Sequence, residues 1–492
     1  MADLAVVVAE RMEAGAIGGN VFTVTSSRGR APDGLRRLRV ALAPGAPVAL
    51  CGTARGLDPT LRTGELVVAT ELRTTDGSAP RVLPAAPLVA DDLHRLGLDV
   101  RCGPVISSAT APSAREGAAF AAAGAIAWDT ESAWVAQELP DHPLAAVRTV
   151  VETGRNETIQ AQLRAVGSLL GVRSSLERWA RAVGPHHVLR AGPRSFCAGV
   201  ERAIEIVERA LERFGRPVYV RRQIVHNAHV VADLQAKGAI FVAELDQVPD
   251  RATVVLAAHG VSPAVRAEAA DRPDLMVIDA TCPLVAKVHH EARRYLTQGH
   301  RIVLIGHAGH EEVVGTIGEA PDQISLVQTP DDVADLDVGD HEQVAYLTQT
   351  TLATDETAEI VAALHRRFPR LVGPSGQDIC YATQNRQDAV RALAPLCDLV
   401  LVVGSTNSSN TARLVEVARR EGCRAELIED ASDLWLEWLG GATTIGLTAG
   451  ASAPDTLVTG VIDALGLLGP VDLTEHRTTE ETVQFALPRQ VR

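Results

Sequence analysis

LVLVVGSTNSSNTARLVEVA, residues 399–418, joins a five-residue apolar run to a glycine turn and then to an amphipathic helical pattern. A short continuous Val/Leu run, apolar on both faces, is what a parallel strand requires. The same order recurs in VALCGTARG (48–56), VVLAAHGVSPAVRAEAA (254–270), IVLIGHAGHEEV (302–313) and IGLTAGASAPDTLVTGVI (445–462). Strands alternating with helices give α/β layers with right-handed crossovers. In such layers the polar residues just past the strand ends line the ligand crevice. Here those residues are His259, His307, His310, Ser408, Ser409, Asn410 and Ser452.

The chain has 492 residues, too many for one core, and at about 150 residues per domain it divides into three or four units. It is 46% hydrophobic and 22% charged, with a formal net charge of -14, which disfavours a partner bound through its phosphate backbone and so a nucleic acid. Seven cysteines, an odd number in no compact framework, do not read as a secreted disulfide scaffold. MADLAVVVAERMEAG lacks a basic start and reads as a first strand, not a signal peptide. No apolar run approaches the ~20 residues that span a membrane. A reducing cytoplasm is the expected compartment.

A boundary is expected at residues 184–187. IQAQLRAVGSLLGVRSSLERWARAV (159–183) places Leu163, Val166, Leu170 and Trp179 at roughly helical spacing, GPHH breaks the helix, and VLRAGP opens a new strand. Two domains follow, 1–183 and 188–492. All histidines except His94 and His142 lie at or beyond the junction.

Three cysteines share a setting: Cys197 in GPRSFCAGVERA, Cys282 in DATCPLVAKVHH and Cys380 in QDICYATQNRQ. Each stands where a turn enters a helix, with Pro283 favoured at a first helical position. A helix N-terminus lowers a thiol's pKa and stabilises a thiolate ligand. Cysteines so far apart cannot form a local zinc knuckle, but a fold that gathers them has three ligands for an iron–sulfur cluster with one iron open to substrate. The spacing permits this without requiring it, and an anion- or nucleotide-binding protein with redox-sensing cysteines remains the alternative. Cys51, Cys102, Cys397 and Cys423 lie in or beside apolar runs or on a helix and read as packing.

IVHNAH (224–229), AAHG (257–260) and IGHAGHEE (305–312) each place histidine after an apolar run, where imidazoles can bind an anionic diphosphate. His307 and His310 with Glu312 also suggest zinc, although the order differs from H-E-x-x-H. Glu312, near a bound hydroxyl, can give the proton that lets it leave as water. In GSTNSSNTARL, Ser408, Ser409 and Asn410 stand at a helix entry, where free N–H groups favour anions, and Ser452 in TAGASAP holds an equivalent place. Helix capping explains the same residues. TQTT (348–351) adds donors without a Walker lysine, which disfavours an NTPase.

PRSFCAGVERAI, IVHNAHVV, AHGVS, DATCPLVAKVH, IGHAGHEEVVGT, TQTTL, DICYATQNRQ, GSTNSSN and TAGASAPD occur here in the order found in the LytB family of 4-hydroxy-3-methylbut-2-enyl diphosphate reductases, which residues 187–490 closely resemble. The resemblance implies three α/β units around a central [4Fe–4S] cluster held by Cys197, Cys282 and Cys380. It implies His226, His259 and His310 as substrate-binding residues, Glu312 as proton donor, and Thr350 as the residue that orders the hydroxyl and proton relay. It makes Ser408, Ser409, Asn410 and Ser452 the diphosphate pocket. The activity implied is a reductive dehydroxylation yielding isopentenyl and dimethylallyl diphosphates, the last step of the methylerythritol phosphate route. Reduced ferredoxin or flavodoxin is the electron donor implied. Ser195 departs from the family's usual Gly.

The N-terminal domain resembles the purine nucleoside phosphorylases and nucleosidases, as a separate α/β domain. CGTARGLDPTLRTGELVVAT (51–70) matches their Gly-rich strand and following segment, and AGAIAWDTESAWVA (123–136) matches the signature whose glutamate, here Glu131, holds ribose hydroxyls. Thr130 replaces the usual Met, Glu152 stands at the catalytic Asp position, and SSRGRAP (26–32) is a poor phosphate-side turn. A degenerate binding or structural module and a second active enzyme both remain open.

Overall fold

The computed structural model describes residues 4–8, 21–23, 38–152, 159–339 and 343–492. SSRGRAP and the side chains of Glu152, Leu163, Val166 and Leu170 lie outside the described ones. The chain forms two compact units, Met1–His186 with Ser432–Thr443 and Val461–Asp472, and His187–Ala431 with Thr444–Gly460 and Leu473–Arg492.

The first unit is built on an eight-stranded mixed sheet. Val48–Gly56, Ala127–Asp129, Val100–Ser107, Leu66–Thr74 and Leu144–Glu152 pair in turn, and the last returns to the first, so five strands close a ring. Closure removes the free edges an open sheet would expose. Val48, Leu50, Val67, Leu72, Val105, Ala146 and Val150 form its core. The predicted helix is present as Ile159–Ala182, with Trp179 buried, and the strand His186–Gly192 follows it.

The second unit contains three sheets, each with its own helices, as the sequence leads one to expect. Ala239–Val242, Val218–Arg221, Thr253–Leu256 and Met276–Asp279 form the first, all parallel. Ile324–Val327, Arg301–Ile305 and Val344–Thr348 form the second, also parallel. The third has the order Arg424–Ile428, Leu399–Val403, Thr444–Ala449, His186–Gly192, Val471–Arg477. Leu399–Val403 is fully buried between parallel neighbours, which accounts for its unbroken apolar run.

The turn after that strand needs glycine. Gly404 has φ +149°, and a Cβ there would come within 2.7 Å of the Thr411 hydroxyl. The chain then enters the helix Ser409–Arg420, whose N-cap Ser408 accepts a hydrogen bond from the Thr411 N–H at 3.4 Å. Among the described residues no helix is long and apolar enough to cross a membrane.

Candidate active site

Cys197, Cys282 and Cys380 are each the N-cap of a helix, Ala198–Phe214, Pro283–Thr297 and Tyr381–Leu393 respectively. All three line one cavity, together with His226, His259, His310, Glu312, Thr350, Ser408, Ser409, Asn410 and Ser452. Its free space is roughly 800 Å³, counting that open to solvent. Apart from His307, the residues singled out for the second unit's chemistry are therefore brought together, from segments as far apart in sequence as Cys197 and Ser452.

The thiols lie close enough to repel one another as thiolates. Burial pushes Cys282 up to about 12, past the lowering by the N–H groups of Leu284 and Val285, with Cys197 and Cys380 adding to the rise. Cys380 is pushed up to about 11 by burial and by Cys197, although the Thr383 hydroxyl and N–H pull the other way. The expectation that helix entries lower the thiols is thus corrected at Cys282 and Cys380 for the protein alone: desolvating a thiolate outweighs the helix terminus. The donor set does fit an iron–sulfur group, since cationic iron reverses that balance. Gly199 fits it too, because a Cβ there would lie 2.8 Å from Cys282 Sγ and 3.8 Å from Cys197 Sγ.

The Ser195 backbone suits the glycine that the resemblance led one to expect there. Its φ is 58°, in the left-handed region that glycine enters without cost. Here the serine hydroxyl donates to Asp455 Oδ1 at 3.1 Å, and its carbonyl accepts from Arg386.

Three imidazoles form one face of the cavity. The rings of His226 and His259 stack with centroids 4.1 Å apart, and His310 meets them edge-on at 5.5 and 6.0 Å. Burial lowers His226, lowers His259 well below the usual range with help from the other two, and brings His310 to about 4. The set is neutral near pH 7. Both ring nitrogens of His226 and Nδ1 of His259 lack a hydrogen-bond partner, as do both polar atoms of the Asn410 side chain. Such buried orphans call for a ligand.

Around them, Ser452 Oγ donates to the His226 carbonyl at 3.0 Å and lies 3.4 Å from Ser408 Oγ, while Gln349 Nε2 donates to Ser409 Oγ at 3.3 Å. No Lys or Arg is among the lining residues. An anion here meets neutral donors and a helix N-terminus instead.

Glu312 is 2% exposed and is held by Thr350, whose N–H donates to Oε1 at 2.8 Å and whose hydroxyl donates to Oε2 at 3.0 Å. Burial raises its carboxyl to about 7 against both bonds, and the nearby Asp378 adds to the rise. Asp378 is itself buried, lifted to about 6 by burial, and anchored by Lys287 at 3.2 Å and the Thr348 N–H at 3.1 Å. Neither it nor Tyr381 and Phe485, which also line the cavity, was singled out from sequence. Asp378 and Tyr381 flank Cys380 and were within reach of that motif; Phe485 carries no local signal.

Three further expectations are corrected. His307 does not line the cavity: its Nε2 bonds the Arg413 guanidinium, and its N–H donates to Gln349 Oε1 at 3.0 Å. That guanidinium also blocks the zinc alternative, and His310 Nδ1 is engaged by the Glu312 N–H at 3.2 Å. Cys102, read as packing, is exposed, whereas Cys51 and Cys423 are buried.

In the first unit, Glu131 is buried and its carboxylate lies 3.0 Å from Nη1 of the buried Arg148, which also pairs with Asp129 at 2.9 Å. The Thr130 hydroxyl donates to the same carboxylate. The residue matched to ribose binding is thus already engaged within the fold.

Residues 188–466 match the family described as LytB protein. The chain is 58% identical over 303 residues, 61% of its own length and 94% of the relative's, to the 4-hydroxy-3-methylbut-2-enyl diphosphate reductase of Cutibacterium acnes. The solved structure of the E-1-hydroxy-2-methyl-but-2-enyl-4-diphosphate reductase from Plasmodium falciparum is similar at TM-score 0.60 and 37% identity, over 63% of this chain and 97% of that one. The futalosine hydrolase of Helicobacter pylori is similar over 35% of this chain and 96% of its own, at 14% identity and TM-score 0.29, a likeness too slight to carry any residue role.

Proposed function

The chain belongs to the LytB family, and from that premise we propose that its second unit reduces 4-hydroxy-3-methylbut-2-enyl diphosphate with the residues gathered in the cavity. The observation that carries the assignment is the meeting of three thiols at helix N-cap positions with a buried Glu–Thr pair and a cationless set of orphaned donors in one cavity. Overall, the substrate takes up two electrons and two protons, its C–O bond breaks, water leaves, and isopentenyl or dimethylallyl diphosphate remains. Cys197, Cys282 and Cys380 would hold a [4Fe–4S] cluster, which when bound would supply the electrons and Lewis-acid activation of the hydroxyl.

The chain's own residues do the rest. Asn410, Ser408, Ser409 and Ser452 hold the diphosphate with the N-terminus of Ser409–Arg420, and the neutral imidazoles of His226, His259 and His310 complete its shell. Glu312, protonated through its raised carboxyl, delivers a proton to the departing hydroxyl, and Thr350 fixes the direction of that carboxyl. The apolar lining excludes water that would compete for it. Reduced ferredoxin or flavodoxin is the proposed electron donor. A reducing cytoplasm suits its seven free cysteines. The direct test is anaerobic purification with iron and sulfide quantification and a reductase assay. About four irons per chain and turnover are expected, and a colourless, iron-free, inactive protein overturns the assignment.

The pocket side chains give a separate prediction. Ser408→Ala, Asn410→Ala and Ser452→Ala raise the apparent KM and leave kcat near wild type, because the diphosphate does not react. A hydrogen bond to a charged group contributes about 1.5–3 kcal/mol, or one to two decades in affinity. Asn410→Ala is the cleanest case, since its amide has no partner to lose within the protein. The same weakening is expected for the diphosphate product. Product affinity unchanged in all three variants would reduce these residues to helix caps and loop ties.

For the two-domain arrangement we keep the junction at 184–187. A chain beginning at Val188 retains all three cysteines and is expected to load its cluster and turn over. It melts at a lower temperature than the full chain, because Ser432–Thr443 and Val461–Asp472 lose the unit with which they pack. Residues 1–183 alone release little purine base, with Glu131 held by Arg148. Robust base release overturns the degenerate reading, and an insoluble 188–492 chain shows that the first unit is structurally required.

A further inference from the structure

The C-terminal segment 478–492 has one 3-10 turn, Arg489–Val491, and no other regular structure. Two arginines nevertheless tie it to all three cysteines. Arg386, on the Cys380 helix, is completely buried. It donates to the Ser195 carbonyl at 2.6 and 3.1 Å and the Phe196 carbonyl at 3.2 Å, the two residues that lead into Cys197, and to the Glu481 carboxylate at 3.0 Å. Arg202, on the Cys197 helix, donates to the carbonyls of Ala280 and Thr281, both at 3.1 Å, which lead into Cys282. It also donates to the Ala486 carbonyl at 2.9 Å. Each guanidinium thus joins two thiol-bearing segments and the tail.

Between those two tail anchors, Phe485 lines the cavity with the thiols, while Leu487 and Val491 pack on the core beside the Cys197 helix. Stability alone does not account for this design, because a buried ion pair is often no better than a well-packed apolar pair. A planar guanidinium does fix the directions of several carbonyls at once, which neither Lys nor an apolar side chain can do. What surrounds a metal group's ligands sets its affinity, its potential and its access to solvent.

We infer that Arg202 and Arg386 are positioning residues for the iron–sulfur site, and that residues 478–492 form a fixed wall of it with Phe485 as the shield against solvent. The inference rests on the family reading of the three cysteines.

The test uses the full chain, purified anaerobically, with iron counted and the visible cluster absorption followed under air and under an iron chelator. Arg386→Lys, Glu481→Gln and Phe485→Ala are expected to load iron and to lose it about 10–100-fold faster than wild type. Phe485→Ala also raises the reduction potential, since water stabilises the more negative reduced state. Arg477→Ala, which removes an exposed pair with Glu480, leaves the decay unchanged. Arg386→Met keeps the packing without the donors, and iron retention like wild type in that variant overturns the positioning role. If Arg386 variants fail to fold, Glu481→Gln and Phe485→Ala decide, and wild-type decay in both overturns the inference. A wild-type protein without iron overturns the family reading and this inference with it; iron-bound wild type beside equally stable variants overturns this inference alone.

Discussion

Cys197→Ser, Cys282→Ser and Cys380→Ser are each expected to purify colourless under anaerobic conditions, with iron content and reductase turnover almost entirely lost. Serine keeps the size but replaces a soft thiolate by a hard, weakly acidic hydroxyl, a poor partner for iron–sulfur groups. Nothing nearby can substitute. The other lining side chains able to bind a metal are His226, His259, His310 and Glu312, which the proposed mechanism assigns to the diphosphate and the hydroxyl. Each cysteine also stands at the N-cap position of its own helix, so losing one removes a ligand from one segment and leaves the other two in place. Cys51→Ser, Cys397→Ser and Cys423→Ser serve as controls and keep full iron. Cys423 Sγ donates to the Cys397 carbonyl at 3.3 Å in an apolar cluster away from the cavity, so its loss costs some stability and no colour. A colourless Cys423→Ser protein beside an iron-loaded Cys282→Ser protein would mean that the ligands are wrongly assigned.

The part of this site that was legible in the sequence is the part written locally. An apolar run, a glycine and a capping residue occupy about ten consecutive positions, so Leu399–Val403, Gly404 and Ser408 announce both the strand and the anion-facing helix entry. The same holds for the three cysteines at their helix starts. What the sequence hides depends on pairing across the chain. The closed ring of the first unit needs Val48–Gly56 to meet both Ala127–Asp129 and Leu144–Glu152, and no local pattern specifies that register. Ser432–Thr443 and Val461–Asp472 lie within the LytB-like stretch, yet belong to the first unit. Arg202, Arg386 and Phe485 look like ordinary helix and tail residues until carbonyls from distant turns are seen around them. His307 and His310 are three positions apart, but only His310 caps the following helix and faces the cavity, while His307 turns to Arg413. Burial was the other hidden quantity. It reverses the expected lowering of the Cys282 and Cys380 thiols, and it sets Glu312 where a general acid is useful.

Glu312→Gln is expected to keep the site intact and to slow turnover by about 10²–10⁴-fold, the usual contribution of a positioned general acid. The loss falls on kcat, because glutamine still accepts the Thr350 N–H and its amide can pair with the Thr350 hydroxyl, which reorients to accept. Iron content and substrate affinity therefore stay near wild type. The pH dependence separates a proton donor from a mere hydrogen-bonding residue. In the wild type the carboxyl is raised from 4.5 to about 7 by burial, so the reactive acid form is full below about 7 and falls tenfold per unit above it. The kcat of the wild type should follow that limb, and the Gln variant should lack it. Stability has the same sign: a carboxyl whose folded value is raised binds its proton more tightly in the native state. That contribution is fully present below 4.5 and lost as pH rises through about 7. Replacing Glu312 should flatten stability across that window. A Gln variant with wild-type turnover removes Glu312 from the chemistry. A variant that is slow but retains the alkaline limb assigns that limb to another group, with Asp378, raised to about 6 beside it, the next carboxyl to replace.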